Sequence, residues 1–245
     1  EDDIIRRSAA IDQLEALAKE EPAEARRIAN MLCTYVKELS RQYPAEPIPT
    51  NIEKIDWASI DLEDTSHRGL EEWATDLHVK RPDMEHAVQS LGRLNPYVRT
   101  ESNTAESDPI ITLRHANLQG RRLVNLDFTH ADLSYANLQN TNLDGSNFHM
   151  ANMSWANLHF ASLQKAHLIK ADLEHANLHC VSAHNAKFTR ADMWTVQMPH
   201  AQLGRADFSN SRLAYANMAM VGITHTNFTN ADMNRILSLI HISEP

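Results

Sequence analysis

The sequence predicts an all-β solenoid of about six coils, preceded by a small α-helical domain. The hydrophobic period is helical in the first part of the chain and changes to a strict five over residues 111–233. The spacing of the phenylalanines then sets the number of sides in each coil. The predicted boundaries are 1–100 for an acidic helical domain, 101–110 for a linker, 111–233 for the repeats and 234–245 for an irregular tail of no assigned function.

Apolar residues recur at helical spacing over the first hundred residues. One stripe covers residues 4–18, and a second covers residues 25–39, directly after a proline that a first helical turn tolerates. These stripes predict two amphipathic helices that form a hairpin. Two shorter helices are expected over residues 70–77 and from about Asp83, and the polar composition of residues 95–109 indicates a linker.

The repeat has a large apolar residue at its centre. Every fifth residue from Leu113 to Met233 is Leu, Met, Phe or Ile, except Ala183. Residues five apart do not share one side of a helix, and they alternate between the two faces of a strand. They share an interior only if the chain turns a corner every five residues. The centre and the small residue two positions before it then face inward, and the Asn or Asp between them suits a corner.

Five of the six phenylalanines are separated by multiples of twenty residues. Twenty residues make four sides of five, so the coils are predicted to be square. Leu168 fills the gap in this series. We expect the rings to form a column of structural core along one inner wall, made of Phe128, Phe148, Phe188, Phe208 and Phe228.

The stretches ADLSYANLQN, ANMSWANLHF and ADLEHANLHC, within residues 131–180, resemble the pentapeptide-repeat family of bacterial type. The resemblance implies that residues 111–233 form a right-handed quadrilateral β-helix. The helical part, with AAIDQLEALAKEEP and IANMLCTYVKEL, resembles a subgroup in which a helix pair precedes the repeats. Members of that subgroup often carry membrane-spanning helices upstream, which would tether the full-length protein at the cytoplasmic face of a membrane.

The charge of the chain is concentrated in its first half. Residues 1–110 hold 13 Lys and Arg against 23 Asp and Glu, whereas residues 111–233 hold 9 against 8. No basic surface is indicated, so direct nucleic-acid binding is not expected. The near-neutral repeats also disfavour the alternative function that the resemblance implies, a DNA mimic that regulates a type II topoisomerase, because a mimic needs negative charges spaced like phosphates.

Outward residues also fall into columns with a spacing near twenty. The candidate interaction surface, called the aromatic strip below, consists of Tyr135, Trp155, His175, Trp194 and Tyr215. Aromatic side chains offer a large contact area, and an exposed group of them favours docking of a protein partner. The alternative is that the helical domain folds back and covers the strip.

A second outward corner gathers His159, His179, Cys180 and His200. Imidazole and thiolate are zinc ligands, but we expect no metal here, because outward side chains on stacked strands should diverge. The sequence has no Gly-rich phosphate loop, nucleophile elbow or HExxH motif, so no catalytic or cofactor-binding residue is expected. The sequence therefore predicts a non-enzymatic interaction or scaffold protein with an unidentified protein partner.

Overall fold

The computed structural model describes residues 2–47, 81–101 and 111–237. Within these ranges the chain forms three helices followed by a square rod of stacked coils. The helix predicted over residues 70–77 and the end of the predicted tail, residues 238–245, lie outside the described residues.

The three described helices pack against one another. Helix α1 spans Asp2–Glu20, α2 spans Pro22–Gln42 and α3 spans Pro82–Glu101. Helix α2 begins on its proline, which needs no N–H partner in a first turn. The predicted inward stripe of α2 is buried, namely Ala25, Ile28, Leu32, Val36 and Leu39. None of the described helices is long and apolar enough to cross a membrane.

Helix α1 is held to α3 partly by a buried carboxylate. The predicted apolar stripe of α1 is buried only at Ile11 and Ala18, while Glu15 is 6% exposed. The Glu15 carboxylate accepts hydrogen bonds from Ser90 Oγ at 2.6 Å and from the Arg93 guanidinium at 2.7 Å. Burial of this charge is tolerated because it is paired and hydrogen-bonded.

Helix α3 is longer than the sequence predicted. The polar stretch that indicates a linker begins at Asn95, six residues before the predicted domain boundary at 101, but the helix runs through Asn95 and Pro96 to Glu101. Proline has no backbone N–H, so Pro96 cannot donate to the carbonyl of Gly92, four residues earlier. That carbonyl instead accepts the backbone N–H of Asp127, in the rod, at 3.3 Å. The contact with the rod thus replaces the helical hydrogen bond that the proline removes.

The rod is built from parallel one-residue bridges between positions twenty residues apart, from Thr112–Asp132 to Asn217–Leu237. Across residues 111–237 these bridges replace the longer strands implied by an all-β solenoid, because a five-residue side spends two residues on each turn. The pattern continues to Leu237, four residues beyond the predicted end at 233, since the Leu237 N–H donates to the Ala216 carbonyl at 2.9 Å.

Each corner contains a residue with left-handed backbone. Every fifth residue from His115 to Arg235 has φ between 53° and 66°, and only Gly120 and Gly145 among them are glycine. The Asn or Asp before each repeat centre, which the sequence predicted at a corner, lies instead on the bridge in the middle of a side. These residues support the turns through their side chains, as where Asp132 Oδ1 accepts the Ser134 N–H at 3.0 Å.

The interior of the rod is filled by the predicted centres and small residues. At Ala183, the one centre that is not large, the preceding inward residue is Val181 instead of a smaller residue, and both are fully buried. The phenylalanine column forms in two parts on either side of the buried Leu168. Ring centroids are 5.4 Å apart for Phe128 and Phe148, 4.6 Å for Phe188 and Phe208, and 5.3 Å for Phe208 and Phe228. Phe228 is only partly buried, because it lies in the last described coil.

Candidate interaction surface

The helical region caps the first coil of the rod. In later coils the backbone N–H of each bridge residue donates to the coil before it, as Asp132 does to the Ile111 carbonyl at 2.8 Å. Among the described residues no coil precedes the first one, and unpaired edges of this kind invite association with other chains.

Three groups of the helical region accept hydrogen bonds from these edge N–H groups. Ser40 Oγ accepts from Asn117 at 3.0 Å, Glu85 Oε2 from Arg122 at 3.0 Å, and the Gly92 carbonyl from Asp127 at 3.3 Å. The fourth edge N–H, that of Thr112, faces the buried Cys33 thiol; burial raises the pKa of this thiol, and the Thr112 backbone opposes that rise. Each of the four sides of the square therefore receives one partner from the helices.

This cap leaves the aromatic strip uncovered by the described helices. The hydrogen bonds between helical residues and the rod end on the first coil, between Thr112 and Thr129. The strip starts one coil later. Tyr135 is 43% exposed, Trp155 51% and Tyr215 37%. Helices α1, α2 and α3 therefore do not provide the cover that the alternative requires, and the rest of the predicted helical domain, residues 48–80, lies outside the described residues.

The rings of the strip form one continuous series. Tyr135 stacks on Trp155 with centroids 6.1 Å apart and planes 3° apart, and Trp155 stacks on His175 at 4.1 Å. His175 meets Trp194 edge to face at 5.1 Å, and Trp194 meets Tyr215 in the same way at 6.1 Å. The structure therefore brings together all five residues that the sequence assigned to this surface.

Three arginines that were not part of the predicted surface lie beside these rings. The guanidinium carbons of Arg114, Arg212 and Arg235 are 5.2 Å, 5.5 Å and 5.5 Å from the ring centroids of Tyr135, Trp194 and Tyr215. Arg235 also donates to the Tyr215 hydroxyl at 2.9 Å. Arginine packs well on aromatic faces, so these contacts hold the charges in place along the strip.

The stacking limits what the strip can bind. Trp155 and His175 stack with centroids 4.1 Å apart, so the facing sides of these two rings are closed to a flat ligand. A flat sugar or nucleobase needs an open ring face on which to stack. Ring edges and guanidinium groups instead suit contacts with apolar and acidic side chains of a protein.

The second outward corner, called the histidine corner and made of His159, His179, Cys180 and His200, is more closely packed than the sequence predicted. Donor atoms of His159, His179 and Cys180 lie within 4.8 Å of one another, so these side chains converge rather than diverge. The imidazoles of His159 and His179 stack at 4.6 Å, and His200 lies farther out, 5.6 Å from His179. Burial, with a smaller contribution from the charge of His179, lowers the pKa of His159 to about 4. The convergence follows from the placement of the two histidines at the same turn position in adjacent, hydrogen-bonded coils.

These features define a β-helical repeat protein whose first coil is closed by a helical cap. Residues 113–149, 156–194 and 201–236 match the model of the Pentapeptide repeats family, in eight copies. Through this rod the chain belongs to the pentapeptide-repeat family, whose fold is a right-handed β-helix. No curated protein matches the chain with significance.

Similar solved structures are also pentapeptide repeat proteins. HetL, involved in heterocyst differentiation regulation in the cyanobacterium Nostoc sp. strain PCC 7120, is 25% identical, over 51% of this chain and 62% of its own, with a TM-score of 0.33. QnrB1, a plasmid-mediated fluoroquinolone resistance protein, is 19% identical over 51% and 81%, with a TM-score of 0.27. Rfr23 from the cyanobacterium Cyanothece 51142 is 21% identical over 44% and 60%, with a TM-score of 0.18. The chain thus spans less than two thirds of HetL and of Rfr23.

Proposed function

We propose that this protein is a non-enzymatic scaffold that binds another protein along the aromatic strip. The observation that carries the proposal is the continuous, exposed series of rings on a rod whose helical cap lies elsewhere. Aromatic residues and arginine are enriched in protein interfaces and at their energetic centres. The filled core keeps the strip in one shape, which lowers the cost of ordering it on binding.

The partner surface is expected to combine apolar side chains with carboxylates. The ring edges of Tyr135, Trp155 and Tyr215 supply the apolar contact, and Arg114, Arg212 and Arg235 supply positive charge beside them. Arg212 already pairs with Asp192 at 3.0 Å, so Arg114 and Arg235, toward the two ends of the strip, are the better candidates for contacts with a partner. Binding of this kind should weaken as salt is raised.

A photoreactive crosslinker placed at Trp155 in the full chain would test this function. We expect it to capture one protein reproducibly, and the purified partner to bind the unmodified chain directly. Replacing Tyr135, Trp155 and Tyr215 with Ser should abolish that binding without lowering the melting temperature. Met150→Ser is the matched control, because Met150 is 42% exposed and lies outside the strip.

Two outcomes would count against the proposal. Binding that survives the triple substitution would place the interface elsewhere. A triple variant that loses stability while no partner is captured would show that the strip is structural.

The DNA-mimic alternative is less well supported. Its interaction would need a line of negative charge, but residues 111–233 carry 9 positive and 8 negative side chains. We expect the purified protein to leave gyrase supercoiling unchanged, and inhibition at submicromolar concentration would favour the mimic. A membrane tether upstream of Glu1 and a cytoplasmic-face location stay predictions from the sequence.

A further inference from the structure

We propose that His159, His179 and Cys180 form a binding site for Zn²⁺ or a similar transition-metal cation, separate from the aromatic strip. Donor atoms of all three side chains lie within 4.8 Å of one another at one corner of two adjacent coils. Among the residues that the structure describes, they form the one group of three or more potential His, Cys, Asp or Glu ligands that meets this spacing.

The backbone beneath the three side chains is held in place. The Phe160 N–H donates to the His179 carbonyl at 3.0 Å, and the Cys180 N–H donates to the Pro199 carbonyl at 3.0 Å. These bonds fix the spacing of the coils that carry the ligands. Zinc binds imidazole nitrogen at about 2.0–2.1 Å and thiolate at about 2.3 Å, so two imidazole nitrogens and one thiolate around one ion lie roughly 3.3–3.6 Å apart. Binding would require the side chains to rotate so that their ligand atoms come roughly 1 Å closer together than that 4.8 Å limit.

A second, independent observation points to a ligand at this corner. His159 Nε2 is buried and has no hydrogen-bond partner. A buried polar atom without a partner destabilises the folded protein, and most such atoms in native structures are satisfied by some group. A cation shared with His179 and Cys180 would satisfy this nitrogen.

The chemistry of the three ligand groups determines which class of metal ion would bind. Two imidazoles and a thiolate suit zinc and other borderline or soft ions, whereas magnesium and calcium require oxygen ligands. His200, with its ring centroid 5.6 Å from that of His179, is placed to supply a fourth ligand after a side-chain rotation, and a water molecule is the alternative. Binding converts the Cys180 thiol to a thiolate and releases its proton to solvent.

Metal titration of the full chain, first stripped with a chelator, tests the site. Calorimetry with Zn²⁺ should show one equivalent that His159→Ala and Cys180→Ser each weaken by at least ~10-fold. Co²⁺ should give a thiolate-to-metal absorption band in the unmodified chain, and Cys180→Ser should remove it. His184→Ala is the matched control, because His184 is an exposed rod histidine outside the group, and this variant should bind as the unmodified chain does.

The proposal fails if the unmodified chain and Cys180→Ser bind Zn²⁺ with the same stoichiometry and affinity. It also fails if the Co²⁺ complex has no thiolate band, since binding would then come from histidines elsewhere. His159→Gln provides a second variant should the alanine variant prove unstable. Circular dichroism melts of every variant without metal verify that lost binding does not reflect lost folding.

Discussion

The backbone N–H of Asp127, in the first coil of the rod, donates to the carbonyl oxygen of Gly92, in helix α3, at 3.3 Å. Pro96 leaves this carbonyl without its usual helical donor, and the missing side chain of Gly92 lets the rod approach. A Cβ atom at position 92 would lie 2.7 Å from Leu126 Cβ. The helix and the rod therefore meet at a point where neither a larger residue nor a regular helix would fit.

Gly92→Ala should destabilise the protein. Alanine normally stabilises a helix by about 1 kcal/mol relative to glycine. Here the clash with Leu126 should outweigh that gain, for a net loss of about 1–3 kcal/mol in the free energy of unfolding, measured by chemical denaturation. A gain of the ordinary helical size would mean that α3 is not docked on the rod as described.

Ser40→Ala should lower the free energy of unfolding more than Thr34→Ala does. Both hydroxyls donate to the carbonyl four residues earlier, at 2.8 Å from Ser40 and 2.9 Å from Thr34. Only Ser40 also accepts a rod N–H, that of Asn117. We expect Ser40→Ala to lose about 1 kcal/mol more of unfolding free energy than Thr34→Ala and to speed hydrogen exchange at Asn117. Equal effects would show that this edge hydrogen bond adds nothing.

Lys165→Gly should raise stability although it deletes a long side chain. Lys165 has φ of 57°, where a side chain costs roughly 1–2 kcal/mol that glycine avoids. After the entropy cost of glycine, the net gain in unfolding free energy should be about 0.5–1 kcal/mol. The neighbouring exposed Gln164 is the control, because it lacks a left-handed φ, and Gln164→Gly should be destabilising. Thermal melts with the same sign for both variants would contradict this prediction.

Phe188→Ala should lower the free energy of unfolding far more than Phe228→Ala does. Phe188 is fully buried beneath Phe208, whereas Phe228 is only partly buried in the last described coil. Loss of the inner ring should cost about 3–5 kcal/mol, and loss of the outer ring less than half as much. Equilibrium denaturation of both variants makes the comparison, and equal losses would mean that the end of the rod is covered in solution.

Glu15→Gln should reduce the dependence of stability on acid pH. Burial alone would raise the pKa of the Glu15 carboxyl, but hydrogen bonds from Arg93, Lys19 and Ser90 lower it to about 2, from an ordinary value of 4.5. Because the folded pKa lies below the unfolded one, this carboxylate stabilises the protein above pH 4.5, and that contribution is lost as pH falls toward 2. Denaturation at several pH values should therefore show a shallower slope in this window for Glu15→Gln.

Glu38→Gln is the control for this pH experiment. Glu38 is exposed, and its carboxylate lies 3.3 Å from Arg41, a pair that solvent screens. This variant should keep the slope of the unmodified chain. An unchanged slope for Glu15→Gln would mean that the Glu15 carboxylate is not held by the helix contacts described.

Much of the rod could be predicted from the sequence because a strict period constrains every repeat in the same way. Leu113 to Met233 must share an interior, and the phenylalanine spacing leaves four sides as the consistent solution. The residues of the aromatic strip could be predicted from the same spacing near twenty. Two of the arginines beside it could have been found in the same way, because Arg114 lies one residue before His115 in the ring column and Arg235 continues that column twenty residues after Tyr215.

The sequence by itself determined the square coil, its inner column and the positions that face outward, since these depend only on repeat length and side-chain size. Tertiary structure alone decided how the helices close the first coil. Its four edges are reached by residues of two separate helices, Cys33 and Ser40 on α2 and Glu85 and Gly92 on α3, so the closure depends on how these helices pack against the rod. It also decided that His159, His179 and Cys180 converge, since rotamers and the stacking of adjacent coils set those distances. The repeat period determines which residues point outward, and tertiary packing determines which of them come into contact.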